Sequence, residues 1–261
     1  MSTHIIHPTA IIGPQTELGE NVTIGPYAII EGEVFIDSGT QIGAHVYIDR
    51  YTHIGKNCRI SPFAAIGTPP QDKRYKGEKT EVIIGDENVI REYVTIHRGT
   101  TEGRGKTQIG NQNLLMAYCH VAHDCQVGDG VVMANVATLG GHVIIGDYAT
   151  LGGLAAVQQF VRVGAYSFIG GKSAVVQDIP PYVIAAGDRA KLFGLNIVGL
   201  KRHEFSNDLI AALKKAYQIV IRSHLTIQEA MVRVEKEVPS FPELTQFLDF
   251  IRSSQRGVLR R

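Results

Sequence analysis

Leu115-Met116-Ala117-Tyr118-Cys119-His120-Val121-Ala122-His123-Asp124-Cys125-Gln126-Val127 carries an aliphatic residue at every sixth position. The series runs back to Ile109 and on through Met133, Leu139, Ile145, Leu151, Val157, Val163, Ile169 and Val175. An earlier series, one residue out of phase, runs Ile6, Ile12, Leu18, Ile24, Ile30, Ile36, Ile42, Ile48, Ile54, Ile60, Ile66, and resumes at Ile84, Ile90 and Ile96. A period of six fits neither an amphipathic helix nor an alternating strand. It is the pattern of a parallel β-helix. Each hexad is a short strand plus a corner, three hexads make a triangular coil, and coils stack ~4.8 Å apart.

The other hexad slots agree. Four residues after each aliphatic comes a small or β-branched residue, among them Ala28, Val34, Thr40, Val46 and Ala64, sized for a narrow interior. All three cysteines, Cys58, Cys119 and Cys125, fall in this slot and read as core fillers rather than ligands or disulfides. One residue after the aliphatic, glycine is commonest, and Asn21, Asn57 and Gly130 are expected to serve the tight or left-handed corners. An odd cysteine count without a signal peptide fits a reducing cytoplasm. No apolar run is long enough to span a membrane.

The formal net charge is +1, but it is unevenly spread. Residues 191–261 hold 12 Lys/Arg against 7 Asp/Glu, and the rest of the chain holds 14 against 18. A basic C-terminal part suggests an acidic protein partner; neither nucleic acid nor membrane insertion is expected.

The chain divides into a β-helix over 1–190 and a helical domain over 191–261. Two polar stretches, 68–80 and 97–108, interrupt the repeat and are expected to leave the prism, the second to pack on a neighbouring chain. In the first, Lys73, Arg74 and Lys76 are candidates to meet phosphate and Asp72 to accept from a sugar hydroxyl. Asp178-Ile179-Pro180-Pro181-Tyr182 ends the coils, since proline removes strand donors, and 183–190 reads as a linker. Beyond it, Ser206 can cap a helix bearing Leu209, Ile210, Leu213, Tyr217, Val220 and Ile221. Thr226–Glu229 and Ser240–Glu243 both match the capping box. The last helix carries Leu244, Phe247, Leu248 and Ile251 on one face. Such a helical part closes the open end of a solenoid.

Within the repeat, His123, Gly141 and Gln159 lie eighteen residues apart, as do Asp124, His142 and Phe160. Eighteen residues is one coil, so these groups share one prism edge, with His120 just before it. A histidine there can take a proton from a substrate hydroxyl. An adjacent carboxylate can fix its tautomer and favour the imidazolium. A glycine lets a backbone N–H approach a developing oxyanion. No serine or cysteine is placed as a nucleophile, which favours direct attack by the substrate. A metal held by His120, His123 and His142 is a weaker alternative, since no carboxylate or thiolate set completes it. His4, His7, His45 and His53 read as surface residues.

Leu114-Leu115-Met116, His120-Val121-Ala122-His123-Asp124-Cys125, Gly141-His142, Gln159-Phe160, Pro180-Pro181-Tyr182 and Gly194-Leu195-Asn196 with Gly199-Leu200-Lys201-Arg202 resemble the acyl-[acyl-carrier-protein]–UDP-N-acetylglucosamine O-acyltransferases. So do Gln71-Asp72, Tyr75, Gly77-Glu78 and Thr95-Ile96-His97-Arg98-Gly99-Thr100. The resemblance implies a left-handed parallel β-helix with a C-terminal α-helical domain, assembled as a homotrimer with active sites between neighbouring prisms. It implies a (3R)-hydroxyacyl chain carried on acyl carrier protein, whose 4'-phosphopantetheine arrives with the donor, so that no resident cofactor and no metal are needed. The acceptor would be the glucosamine 3-hydroxyl of UDP-N-acetylglucosamine, in the first step of lipid A synthesis in a Gram-negative cytoplasm.

By the same resemblance His123 is the general base, Asp124 its orienting carboxylate and Gly141 the oxyanion donor. Asp72, Arg74, His120, His142, Gln158, Gln159, Gly171 and Arg189 line the sugar and acyl pocket, and Asn196 and Arg202 meet the nucleotide end. The chain departs from the family pattern at Arg74 (a lysine is expected), Gln158 (a histidine), Val198 (an acidic residue) and His203 (an arginine). Gly171 stands where the family measures acyl length, and its small size suggests a longer chain, with Lys172 beside it. Other readings remain open: the 3-amino analogue of the sugar as acceptor, giving an amide, or a hexad scaffold without catalysis. A sister enzyme that acylates an amine carries an extra N-terminal uridine-binding domain, for which hexads beginning at Ile6 leave no room.

Overall fold

A computed structural model describes residues 4–259. Its chain winds as a left-handed parallel β-helix with three flat faces, each a sheet of short strands that are parallel throughout except for the last strand of the first sheet. The first sheet has eleven strands, from Ile5–Ile6 to Lys191–Leu195; the second has nine, from Ile11–Ile12 to Ala174–Val175; the third has eight, from Glu17–Leu18 to Arg162–Val163. The hexad aliphatics pair with each other one coil apart, as Ile24 with Ile42 and Val121 with Leu139. They fill the column together with the small slot: from the second coil on, Ile30, Ile48, Val46 and Ala64 are buried. Cys58, Cys119 and Cys125 are free and buried, and burial pushes the Cys119 and Cys125 thiols up to about 11 and about 12. His4, His7, His45 and His53 are exposed, as expected.

Two residues after each aliphatic, outside the two excursions, the backbone N–H has no backbone acceptor, which is why Pro14, Pro26, Pro62 and Pro181 are all tolerated there. One residue later the backbone is left-handed, and the expectation of Asn and Gly at these corners holds only in part. Asn21, Asn57 and Gly130 adopt it, but so do Tyr27, His45, Phe63, Tyr93 and Tyr118, with φ between 56° and 65°. These five rings stack on successive coils with centroids 4.8–5.1 Å apart. Each stacked pair contributes ~0.5–1.5 kcal/mol, comparable to the cost of a left-handed non-glycine residue.

Both interruptions leave the prism at the edge joining the second and third sheets. Ile60 pairs with Ile90 and Ile90 with Leu115, 30 and 25 residues on rather than 18. The excursions therefore insert twelve and seven residues, and the seven, one more than a hexad, is the phase shift seen in the sequence. The second is shorter than 97–108: Lys106–Ile109 is already a strand, paired with Glu81–Ile84, and only 98–105 leaves the coil. Its root folds back onto its own corner at Asp124, while Thr101, Glu102 and Arg104 stay exposed. Arg98 ties the two roots, donating its N–H to Thr68 O and its guanidinium to buried Asp49 at 2.8 Å.

The expected linker at 183–190 is instead a continuation of the first sheet. Val183–Ala186 pairs in parallel with Phe168–Ile169, and Lys191–Leu195 returns antiparallel to it, so the sheet reaches Leu195. The prolines end the hexads without ending the sheet, because Pro181 sits in the slot whose N–H is not needed. Four helices follow: α1 (Ile197–Arg202), α2 (Asn207–Tyr217), α3 (Ile227–Glu237) and α4 (Pro242–Arg252). A π-helical turn, Gln218–Arg222, extends α2. Ser206 caps α2 and the Thr226/Glu229 capping box opens α3. The box at Ser240–Glu243 does not form. Pro242 is the first helical residue, and it holds Phe241 extended at the cap position with no side-chain cap. Among the described residues no helix is long and apolar enough to cross a membrane.

Candidate active site

His123 and Asp124 occupy the corner between strands His120–Val121 and Gln126–Val127, on the same edge as the two excursions. Gly141-His142 lies on the next coil, with His142 N–H donating to His123 O at 3.0 Å, and Gln159-Phe160 on the one after, with Phe160 N–H donating to Gly141 O at 3.0 Å. His142 stacks on Phe160 at 4.4 Å and meets the His123 ring edge-on at 5.1 Å.

Asp124 is fully buried and left-handed at φ 61°. Its Oδ2 accepts from His123 Nδ1 at 2.8 Å and from Thr100 Oγ1 at 2.7 Å; its Oδ1 accepts from Arg104 N–H at 2.8 Å; Thr100 N–H reaches both oxygens at 3.1 Å. Its own N–H donates to Thr107 Oγ1 at 2.8 Å. Burial alone would raise this carboxyl, but the bonds from His123, Thr100 and Arg104 outweigh it and hold the group at about 2. An ionised carboxylate only accepts, so His123 carries its proton on Nδ1 and turns the Nε2 lone pair outward. The Nε2 edge lies over Gly141: a Cβ there would stand 2.7 Å from Nε2. The Gly141 N–H occupies the unbonded hexad slot and has no acceptor among the described residues. A base with a free lone pair and a free amide donor therefore stand side by side.

His120 Nδ1 bonds Thr95 Oγ1 at 2.7 Å. His97 Nδ1 donates to Pro69 O at 2.6 Å, holding the root of the first excursion, and packs edge-on against His120. Burial, with His97 and His123 nearby, pushes His120 down to about 4. Burial likewise lowers His97, and lowers His142 against the pull of Asp124. These rings are neutral in the fold, whereas an unfolded histidine titrates near 6.5. Their stability is thus fully present above pH ~6.5 and is lost as pH falls toward the folded value, because the unfolded chain takes up protons the fold declines. For His120 alone this amounts to on the order of 3 kcal/mol. Replacing His120 with Gln should flatten the decline in stability between pH 6.5 and 4; equal slopes for parent and variant in denaturant titrations would refute the assignment.

Asp72 and Arg74 reach the same corner, since Arg74 pairs with Glu102 in the turn whose Thr100 and Arg104 bond Asp124. Arg74, a candidate to meet phosphate, is already paired within the chain. Arg74 donates from N–H and Nε to Asp72 Oδ1 at 2.9 and 3.1 Å and from Nη2 to Oδ2 at 2.7 Å, and it also pairs with Glu102. The Arg74 bonds hold the Asp72 carboxyl far below its ordinary range.

Other expected site residues lie farther along the prism or on its other edges. Gln158 and Arg189 flank an open groove of about 560 Å³ on the second sheet, floored by Ala156 and Ala174. Gly171 is exposed at the edge joining the first and second sheets, across that sheet from His123. Asn196 and Arg202 line a cavity of about 350 Å³ with Tyr148, Tyr166 and His203, at the edge joining the third and first sheets. Asn196 also has a structural task there: its Oδ1 accepts from Gly199 N–H, opening α1, and its Nδ2 donates to Tyr166 O. One chain does not bring Gly171, Asn196 or Arg202 to the His123 edge.

The ligand atoms of His123, Asp124 and His142 lie within 4.8 Å of one another, close enough to hold a cation. His120 is bonded to Thr95 and stands outside this group. The Asp124 lone pairs are already spent on three residues, so the donor set suits proton handling better than metal capture. The sequence pattern gives no role to Thr100, Arg104 and Thr107: Thr100 and Arg104 act from a turn without a repeat and partly through backbone, and Thr107 from the strand after it. The pattern also passes over His97; only its place in Thr95-Ile96-His97-Arg98-Gly99-Thr100 marks it.

Known proteins resemble this chain over nearly its whole length. The family described as Udp N-acetylglucosamine O-acyltransferase, Domain 2, matches residues 178–259, and Bacterial transferase hexapeptide (six repeats) matches 106–141. The acyl-[acyl-carrier-protein]–UDP-N-acetylglucosamine O-acyltransferase of Thermodesulfovibrio yellowstonii is 54% identical, over 98% of this chain and 99% of its own. The enzyme of the same name from Syntrophobacter fumaroxidans is also 54% identical, over 98% and 99%. The crystal structure of UDP-N-acetylglucosamine O-acyltransferase from Moraxella catarrhalis superposes with a TM-score of 0.95 at 46% identity, covering 98% of this chain and 99% of that one.

Proposed function

The chain belongs to the acyl-[acyl-carrier-protein]–UDP-N-acetylglucosamine O-acyltransferase family, and on that premise we propose that it transfers a (3R)-hydroxyacyl chain from acyl carrier protein to the 3-hydroxyl of UDP-N-acetylglucosamine. This is the first step of lipid A biosynthesis, carried out in the cytoplasm of a Gram-negative bacterium. The observation that carries the mechanism is the Asp124-held imidazole of His123 beside the free Gly141 N–H.

His123 Nε2 accepts the proton of the sugar 3-hydroxyl as its oxygen bonds to the thioester carbon. The carbonyl oxygen becomes an oxyanion and takes the Gly141 N–H. Asp124 favours the imidazolium that forms. When the intermediate collapses, the C–S bond breaks and the imidazolium proton goes to the phosphopantetheine sulfur, leaving the ester. No covalent enzyme intermediate and no resident cofactor are involved. Asp72, oriented by Arg74, accepts from the sugar, and His120, His142 and Gln159 complete its pocket. The acyl chain follows the groove between Gln158 and Arg189 toward Gly171.

Asn196 and Arg202 sit on a different prism edge, which supports a homotrimer: the nucleotide end of one site is furnished by residues 196–203 of a neighbouring copy. The basic 191–261 part supports docking of the acidic carrier protein. The test is incubation with UDP-N-acetylglucosamine or its 3-amino analogue and carrier-bound hydroxyacyl chains of graded length, with products weighed. A singly O-acylated UDP-sugar is expected. Absence of transfer from the carrier, or transfer to the amine alone, overturns the reading.

A further inference from the structure

The second excursion, 98–105, closes over Asp124, and the geometry points to Thr100 as a positioning residue that acts through Asp124 on His123. The inference rests on His123 being the general base. On this edge the left-handed corners of the next two coils, His142 and Phe160, stack on one another. Asp124 has no ring to stack, and the turn supports it instead. Thr100 is 5% exposed. Its hydroxyl donates at 2.7 Å to Oδ2, the oxygen that also takes His123 Nδ1 at 2.8 Å. With the weaker Thr100 N–H at 3.1 Å, these donors occupy Oδ2, and the hydroxyl, the shortest of them, sets the rotation of the carboxylate, which sets the rotation of the imidazole.

The turn is shaped for this task. The Thr100 and Arg104 amides close on the carboxylate from one side, and Gly103 packs so tightly that any Cβ would overlap it. Thr107 accepts the Asp124 N–H from the strand that follows. Glu102, at the tip, pairs with Arg74, which orients Asp72, so one short turn touches both halves of the proposed site.

Losing the hydroxyl leaves the backbone donors in place. Asp124 stays ionised and the fold stays closed, but Oδ2 loses the bond that aims it. The loss belongs to the chemical step rather than to sugar binding. The test measures kcat, KM for UDP-N-acetylglucosamine and melting for the parent, Thr100→Val, Thr100→Ser and His123→Ala. Thr100→Val should lower kcat about tenfold with KM within about twofold, and Thr100→Ser should restore kcat to within about twofold of the parent. A Thr100→Val kcat within twofold of the parent, a serine variant as impaired as valine, or a loss confined to KM each overturns the inference. Should the valine variant fail to fold, Thr100→Ala is read by the same criteria. Transfer persisting in His123→Ala sinks the general-base reading itself; an inactive His123→Ala beside an unimpaired Thr100→Val sinks the role of Thr100 alone.

Discussion

His123→Ala is expected to lower kcat for acyl transfer by about 10³-fold, within the range for removing a general base from a site that still binds its substrates. The sugar hydroxyl would have to lose its proton to water while attacking the thioester, and the departing thiolate would find no imidazolium. The fold should survive. The His123 side chain is 13% exposed on a corner and fills no part of the column. After its removal Asp124 keeps the Thr100 and Arg104 donors, so no buried carboxylate is stranded. Melting should therefore stay close to the parent, and KM for the UDP-sugar should change little. Transfer within about tenfold of the parent would show that another group takes the proton, and His142, which meets the same ring and stands 3.8 Å from Asp124 Oδ2, is the first to examine.

The column was legible in the sequence because its interior is made of side chains recurring one residue in six. Ile24 and Ile42 must pair if the coil closes in eighteen residues, and they do. The same counting put His123, Gly141 and Gln159 on one edge. It failed where the physics is not periodic. Glycine and asparagine were the natural candidates for left-handed corners, yet Tyr93 and Tyr118 serve as well, because a parallel stack repeats each ring above the last. That compensation exists only between coils and cannot be read from one residue. The excursion at 98–105 has no repeat to read, and part of what it offers Asp124 is backbone N–H, which carries no side-chain signature. Arg74 looks in the sequence like a cation awaiting phosphate; in three dimensions Asp72, two residues away, already holds it. Asn196 and Arg202, proposed for the nucleotide end, lie around the prism from His123, an arrangement compatible with a site shared between copies.

Gly141→Ala should cost about 100-fold in kcat, the scale of a base displaced by roughly an ångström. Gly141 is not in the left-handed region, so alanine brings no backbone strain; the conflict is one of space. A Cβ there would lie 2.6 Å from His123 Cε1 and 2.7 Å from Nε2, closer than real carbon contacts allow. The backbone cannot withdraw, because Phe160 N–H donates to Gly141 O at 3.0 Å and Gly140 N–H to Val157 O at 2.9 Å on the next coil. The ring must yield, and it can turn only by weakening its 2.8 Å bond to Asp124. Alanine keeps the main-chain N–H, so the oxyanion donor remains and the measured loss reports the aim of Nε2 alone. Melting close to the parent, KM for the sugar little changed and kcat reduced would bear this out. A kcat near the parent value would show that the imidazole need not lie against this turn, and the pairing of base and amide donor on one prism edge would no longer account for catalysis.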